Sequence, residues 1–158
     1  MALYVAKHFL KELKKLETFK RKDYRLSLQE CFLKLDQLML TKEGKKELSK
    51  FANAGREGGG AEDFMDDPMH AGCTANVVLI TKAEILCANA GDSRAVLSKK
   101  GKVKDLSVDH KPDTPSEKRR IERANGFVEM NRVNGSLALS RSLGDFEYKC
   151  NTIMKPED

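Results

Sequence analysis

The sequence predicts an α+β domain in which helices precede a series of short, mostly antiparallel strands. Three observations predict it. Apolar residues recur every three or four positions through residues 2–18 and again through 28–39, the signature of helices with one buried face. After residue 71 the apolar residues gather instead into short runs separated by turn residues, the signature of strands. A single helix-start signal, Asp113-Thr114-Pro115-Ser116-Glu117, interrupts those strands. At 158 residues the chain is sized for one core rather than two. Helices covering one face of a largely antiparallel sheet would give a layered α+β domain.

The first helix spans Ala2 to Thr18, with Leu3, Ala6, Phe9, Leu10, Leu13 and Leu16 as its apolar stripe and Lys7, Lys11, Lys14 and Lys15 off it. It begins without a cap residue, so it reads as a helix entered from something upstream. A second helix follows. Ser27-x-x-Glu30 is a capping pattern and Asp23 a competing cap, ahead of a stripe of Leu28, Cys31, Phe32, Leu35, Leu38 and Met39. Thr41 would cap a third, shorter helix with Leu48 and Phe51 as its apolar points, although Gly44 weakens it. Residues 53–70 are rich in glycine and acids without periodicity, which predicts a mobile surface loop.

Two strands, Val77 to Ile80 and Glu84 to Ala88, are joined through Thr81-Lys82-Ala83 and closed by an Asn89-Ala90-Gly91-Asp92 turn. Arg94 to Ser98 reads as a third strand, followed by a turn at Lys99 to Lys102 and a short strand around Val103. Thr114 then caps a helix with Pro115 at its first position and Glu117 completing the box. Ile121 and Ala124 would face inward, and Gly126 would end it. Phe127 to Met130 and Gly135 to Leu139 are predicted as antiparallel neighbours through the Asn131 to Asn134 turn. The tail from Asn151 carries no stop signal and looks cut rather than finished.

The net charge of +5 is uneven: +6 over residues 1–50, −4 over 51–70 and +3 over the remainder. In the basic part, Lys and Arg alternate with Glu and apolar residues, a solvated helix face rather than a nucleic-acid or membrane surface. No basic motif is interleaved with aromatics, so no nucleic-acid partner is expected. The four cysteines, at 31, 73, 87 and 150, lack metal or redox spacing and are read as reduced, mostly buried side chains. Neither a secretory signal nor a membrane span is expected from these residues. An intracellular protein of the cytoplasm or nucleus is the expectation.

Chemistry concentrates at Asp92, because a carboxylate placed directly after a strand, beside a glycine that lets the backbone bend, is aimed into a site. Glu62, Asp63, Asp66, Asp67 and His70 form an acidic cluster, but a glycine-rich loop does not fix the geometry a divalent ion needs. It reads as solvated.

Five strings, AGCTA at 71–75, NAGDSR at 89–94, DHKP at 109–112, RVNGSLALSRSLGD at 132–145 and FEYK at 146–149, resemble in wording and order the metal-dependent type 2C Ser/Thr protein phosphatases. The ALYVAKHF string extends the similarity weakly into the first helix. Nearly the whole chain is covered, yet only the middle of the family's domain. The resemblance implies part of an α-β-β-α layered sandwich with mostly antiparallel strands. It implies hydrolysis of phosphoserine and phosphothreonine in proteins at a binuclear Mg²⁺ or Mn²⁺ site, whose metals activate water and neutralise phosphate. Phosphorylated proteins are the implied partners, and the oligomeric state is left open.

Carried over residue by residue, most of that site is missing. The family's Glu-Asp pair, its phosphate-gripping arginine and its Asp-Gly-His-Gly turn have no counterpart here, nor do its DGxWD and Asp-Asn aspartates. No catalytic residue is assigned, and this span alone is expected to be inactive. Asp92 is the one position that maps onto a metal role, a ligand of an additional, weakly held ion, with a purely structural turn aspartate as the alternative. Thr74, Gly91 and Arg94 are expected to be structural neighbours of that site. His110 and Asp109 are read as packing or hydrogen-bonding residues. For Arg132 and Arg141, phosphate contact is weighed against an internal ion pair, which is favoured for Arg141. The rival to a phosphatase fragment is a non-catalytic phosphatase-like interaction module.

Overall fold

The computed structural model describes residues 1–53, 70–150 and Met154. It divides into two compact units, one made of 1–73 with 143–150 and the other of 74–142 with the tail. Of the predicted 53–70 loop, Asn53 instead ends a helix and His70 is described, while residues 54–69 with the acidic residues lie outside the described residues.

In the first unit, α1 (Ala2–Lys15), α2 (Glu17–Lys20), α3 (Tyr24–Leu40) and α4 (Lys42–Asn53) pack together. The predicted first helix is broken at Leu16, whose extended backbone separates α1 from α2. Its buried face is also rotated from the expected one. Tyr4, Val5, Glu12 and Leu13 are buried while Leu3 and Leu10 are 66% and 56% exposed. Both faces are apolar enough to satisfy a helical period, so periodicity alone did not choose between them.

Helix α3 is the centre of this unit, with Cys31, Leu35 and Met39 wholly inaccessible and Leu28 nearly so. Burying such a side chain stabilises by about 1.5–3 kcal/mol. Asp23, not Ser27, is its cap, accepting from the Leu26 amide at 3.3 Å. Ser27 lies inside the helix and donates to the Tyr24 carbonyl, and Glu30 accepts instead from the Thr18 hydroxyl at 2.6 Å. Thr41 does open α4, its Oγ1 accepting from the Gly44 amide at 3.0 Å. Gly44 serves this junction, because a Cβ there would stand 2.0 Å from the Leu38 carbonyl oxygen. The unit is completed by a short antiparallel pair, β1 (Gly72–Cys73) with β8 (Leu143–Gly144). Asp36 of α3 reaches that pair, accepting from the Gly144 amide at 2.9 Å and from Lys149 Nζ at 2.5 Å.

In the second unit, β2 (Ala75–Ile80) and β3 (Ile85–Ala90) form an antiparallel hairpin in register from Ala75 opposite Ala90 to Ile80 opposite Ile85. Thr81 closes it, its hydroxyl oxygen accepting from the Ala83 and Glu84 amides. A second hairpin, β4 (Val96–Lys99) with β5 (Lys102–Asp105), turns through Lys100 and Gly101, both at positive φ. Helix α5 (Pro115–Arg123) starts where its signal predicts, but Thr114 makes no side-chain cap bond. Glu117 is bonded elsewhere. At its other end the left-handed residue is Asn125, at φ 62°, rather than Gly126.

The last predicted pair is corrected. β6 (Val128–Glu129) pairs with β7 (Arg132–Val133) around Met130 and Asn131, both left-handed. Residues 135–139 form only an isolated bridge at Leu137. A two-residue turn brings the partner strand closer in sequence than a four-residue one. All four described pairings are antiparallel, each a two-stranded ladder, so the α+β class stands.

Candidate functional site

The site is built on the far end of the β2–β3 hairpin. There Asn76 faces Asn89, and its amide donates to Asn89 Oδ1 at 2.9 Å, to the Ser93 carbonyl at 3.1 Å and to Ser107 Oγ at 3.1 Å. Asn89 in turn donates to the carbonyls of Gly91 and Val108. The polar pair at the strand ends therefore fixes the 91–93 turn and the 107–108 segment together. Thr74 Oγ1 and Ser93 Oγ lie 2.8 Å apart. Gly91 has φ +113°, and a Cβ on it would stand 2.5 Å from Thr74 Cγ2. Both torsion and space require glycine.

Opposite this turn runs Asp109-His110-Lys111, joined to it by three links. The Arg94 guanidinium donates to both oxygens of Asp109, at 2.9 and 3.0 Å. The Gly91 amide donates to His110 Nδ1 at 3.2 Å, and the His110 amide donates to the Gly91 carbonyl at 3.0 Å. Lys111 Nζ donates to Asp92 Oδ2 at 2.5 Å. Thr74, Gly91, Asp92 and Arg94 thus lie in one turn region, and His110 and Asp109 hold it.

Electrostatics follow the bonds. Hydrogen bonding to Asp92 raises the Lys111 ammonium above its usual value. The Arg94 guanidinium holds Asp109 below the ordinary carboxylate range. Burial lowers the His110 imidazole, and the field of Arg141 adds to it. A neutral ring is what the geometry needs, since Nδ1 must accept from Gly91.

Arg141 makes an internal ion pair, donating to both oxygens of Glu117 at 2.9 Å. Glu117 also accepts from Arg120 at 3.0 Å and Ser140 at 2.8 Å. Burial alone would raise this carboxyl, but the donors from Arg141, Ser140 and Arg120 outweigh it and hold it at about 2. Arg132 donates to the Ser136 carbonyl, so neither arginine is presented as a phosphate fork. Glu117 and Lys111 were missed as partners in the sequence. Their signal was only opposite charge across gaps of 24 and 19 residues, which spacing rules do not reach.

A divalent ion needs six or more oxygen ligands. Among the described residues no group of three or more His, Cys, Asp or Glu side chains is placed to hold one. Asp92, the one mapped carboxylate, is engaged by an ammonium, and His70 pairs with Glu147 at 3.0 Å. The residues described here do not fit a binuclear centre.

The protein phosphatase 2C family model matches residues 1–157. The chain belongs to that family. It is 53% identical to protein phosphatase 2C 1 of Paramecium tetraurelia across the whole chain and 49% of that relative. It is 41% identical to protein phosphatase 2C homolog 2 of Aspergillus fumigatus over 99% of the chain and 32% of that relative. Among solved structures it is similar to a phosphatase from a pathogenic strain of Toxoplasma gondii, with TM-score 0.58 and 26% identity over 98% of this chain and 55% of that one. The chain spans about half the length of the Paramecium relatives it matches. Membership accounts for the ordered strings, and the clamp of 109–111 on 91–94 shows what two of them do structurally.

Proposed function

We propose that the chain is an incomplete type 2C phosphatase domain, part of a protein that hydrolyses phosphoserine and phosphothreonine esters of proteins with Mg²⁺ or Mn²⁺. The observation that carries this is the family match over residues 1–157 together with half coverage of the relatives. Divalent metals in such chemistry activate water and neutralise phosphate. The residues described here supply none of those steps by themselves. What this chain contributes is the turn that holds Asp92, which we read as a ligand of an additional ion in the complete domain, with Thr74, Gly91 and Arg94 around it.

This span alone is then inactive. Purified chain with Mn²⁺ and p-nitrophenyl phosphate is expected to show no turnover above buffer; turnover that disappears in Asp92→Asn would overturn the proposal. We place the protein inside the cell, in cytoplasm or nucleus, a reading supported by four free cysteines. Among the described residues no helix is long and apolar enough to cross a membrane.

A second reading, a non-catalytic interaction module, is favoured by one observation: Asp92 is satisfied by Lys111. The coding sequence flanking the chain separates the two. In-frame DGHGG before Met1 and DGxWD after Asp158 support the phosphatase, whereas a start codon at Met1 and a stop after Asp158 support the module.

A further inference from the structure

We infer that the β4–β5 hairpin is a docking surface for an acidic, extended segment of a partner protein, recognised by Lys99, Lys102 and Lys104. The hairpin gathers four lysines, 99, 100, 102 and 104, into six residues. Register sorts them by face. Lys99 stands opposite Lys102 and Leu97 opposite Lys104, so side-chain alternation puts Lys99, Lys102 and Lys104 on one face. Val96, Ser98, Val103 and the hairpin's one acid, Asp105, take the other. Every residue from 98 to 105 is exposed. Among the described residues no carboxylate forms an ion pair with any of the four lysines.

Two local rules are broken at this turn, and neither breach serves packing. Like charges set directly opposite each other across strands repel, yet Lys99 faces Lys102. Lys100 has φ 52°, a left-handed torsion that glycine, asparagine or aspartate adopts at lower cost. These exposed side chains bury nothing and pair with nothing among the described residues, so the compensation lies with a partner.

Charge sets the sign of that partner and spacing sets its form. Residues two apart on one strand lie about 6.8 Å apart, the interval at which any extended chain repeats its side chains on one face. Lys102 and Lys104 therefore match acids at alternate positions of an extended segment, and Lys99 widens the positive strip across both strands. Two other anionic surfaces fit less well. No aromatic residue lies between 65 and 126, which leaves nucleic-acid bases without a stacking platform. The tip, Lys100-Gly101, carries no apolar anchor for a bilayer. Docking of this kind requires no turnover, so the proposal stands independently of the phosphatase reading.

The test titrates the isotopically labelled 158-residue chain with a peptide of ten glutamates at low salt, where exposed charges are least screened, and reads the amide shifts of residues 99–104. Those amides are expected to move. The Lys99→Gln/Lys102→Gln/Lys104→Gln variant should weaken binding about tenfold, the sum of three exposed ion pairs. Lys99→Arg/Lys102→Arg/Lys104→Arg keeps the parent affinity. Lys11→Gln/Lys14→Gln/Lys45→Gln, which removes the same charge from exposed positions of α1 and α4, leaves it nearly unchanged. Equal weakening in both glutamine variants would reduce the effect to net charge and overturn the inference. So would shifts that fall outside 99–104, or none at all at millimolar peptide. A ten-residue oligothymidylate or phosphatidylserine vesicles bound at this hairpin more tightly than the peptide would overturn it in favour of nucleic acid or membrane.

Discussion

At the scale of the residue, Gly91 is specified by both torsion and space. Alanine there meets both a positive φ and a 2.5 Å approach to Thr74, so Gly91→Ala is expected to destabilise the chain by about 2–4 kcal/mol, read from urea denaturation. His110 gives a pH signature. Its folded pKa is lowered, so the unfolded chain binds the extra proton first, and stability present above about pH 6.5 falls as the pH drops below that value. His110→Gln should flatten that slope between about pH 7 and 5 while leaving an oxygen to accept from Gly91. Glu117 acts lower. Its folded pKa of about 2 against an ordinary 4.5 gives stability that is complete above pH 4.5 and lost as pH falls towards 2. Glu117→Gln should cost about 3 kcal/mol at neutral pH and remove that acid-side dependence, as thermal melts across pH would show.

At the scale of the element, the helices were legible where periodicity and burial coincide, and misread where two faces competed. Of the expected stripe of α3, Leu28, Cys31, Leu35 and Met39 are buried while Phe32 and Leu38 are half-buried. Leu35→Ala is accordingly expected to cost about 2–5 kcal/mol, with no change in helix content by circular dichroism near native conditions. The stripe of α1 was legible as helical but not in phase, because Tyr4 and Val5 take the inside in place of Leu3 and Leu10, while Leu13 is buried as expected. Gly44 reads as a helix weakener by propensity, yet the close approach of Leu38 explains it. That is a tertiary fact which no local rule contains. Gly44→Ala should lower the urea midpoint more than Leu48→Ala, since backbone must move rather than a side chain shrink.

At the scale of the whole molecule, the α+β class was legible in the change from helical periodicity to short apolar runs, and the family in five strings in order. The candidate site was legible only in part. Asp92 stood out by its place after a strand, but its counter-ion lies 19 residues away, and the Arg94–Asp109 fork spans 15. Such pairings exist only once the hairpins have formed, which is why charge pattern along the chain did not disclose them. The same limit hid the Glu117 cluster, whose donors come from α5 and from residues 140 and 141.

One bond has a consequence for synthesis. Asp36 in α3 waits for the Gly144 amide, 108 residues later, and for Lys149 beyond it. At a translation rate of about 5–20 residues per second the ribosome delivers those donors roughly 5–20 s after Asp36 itself. During that interval the helices can form and pack, but a carboxylate destined for partial burial lacks the Gly144 and Lys149 donors, and β1 has no partner strand. The helical unit is therefore the first part of the chain to be made and among the last to be completed. A nascent chain arrested before Leu143 should remain sensitive to protease in α3, and one released after Cys150 should become resistant.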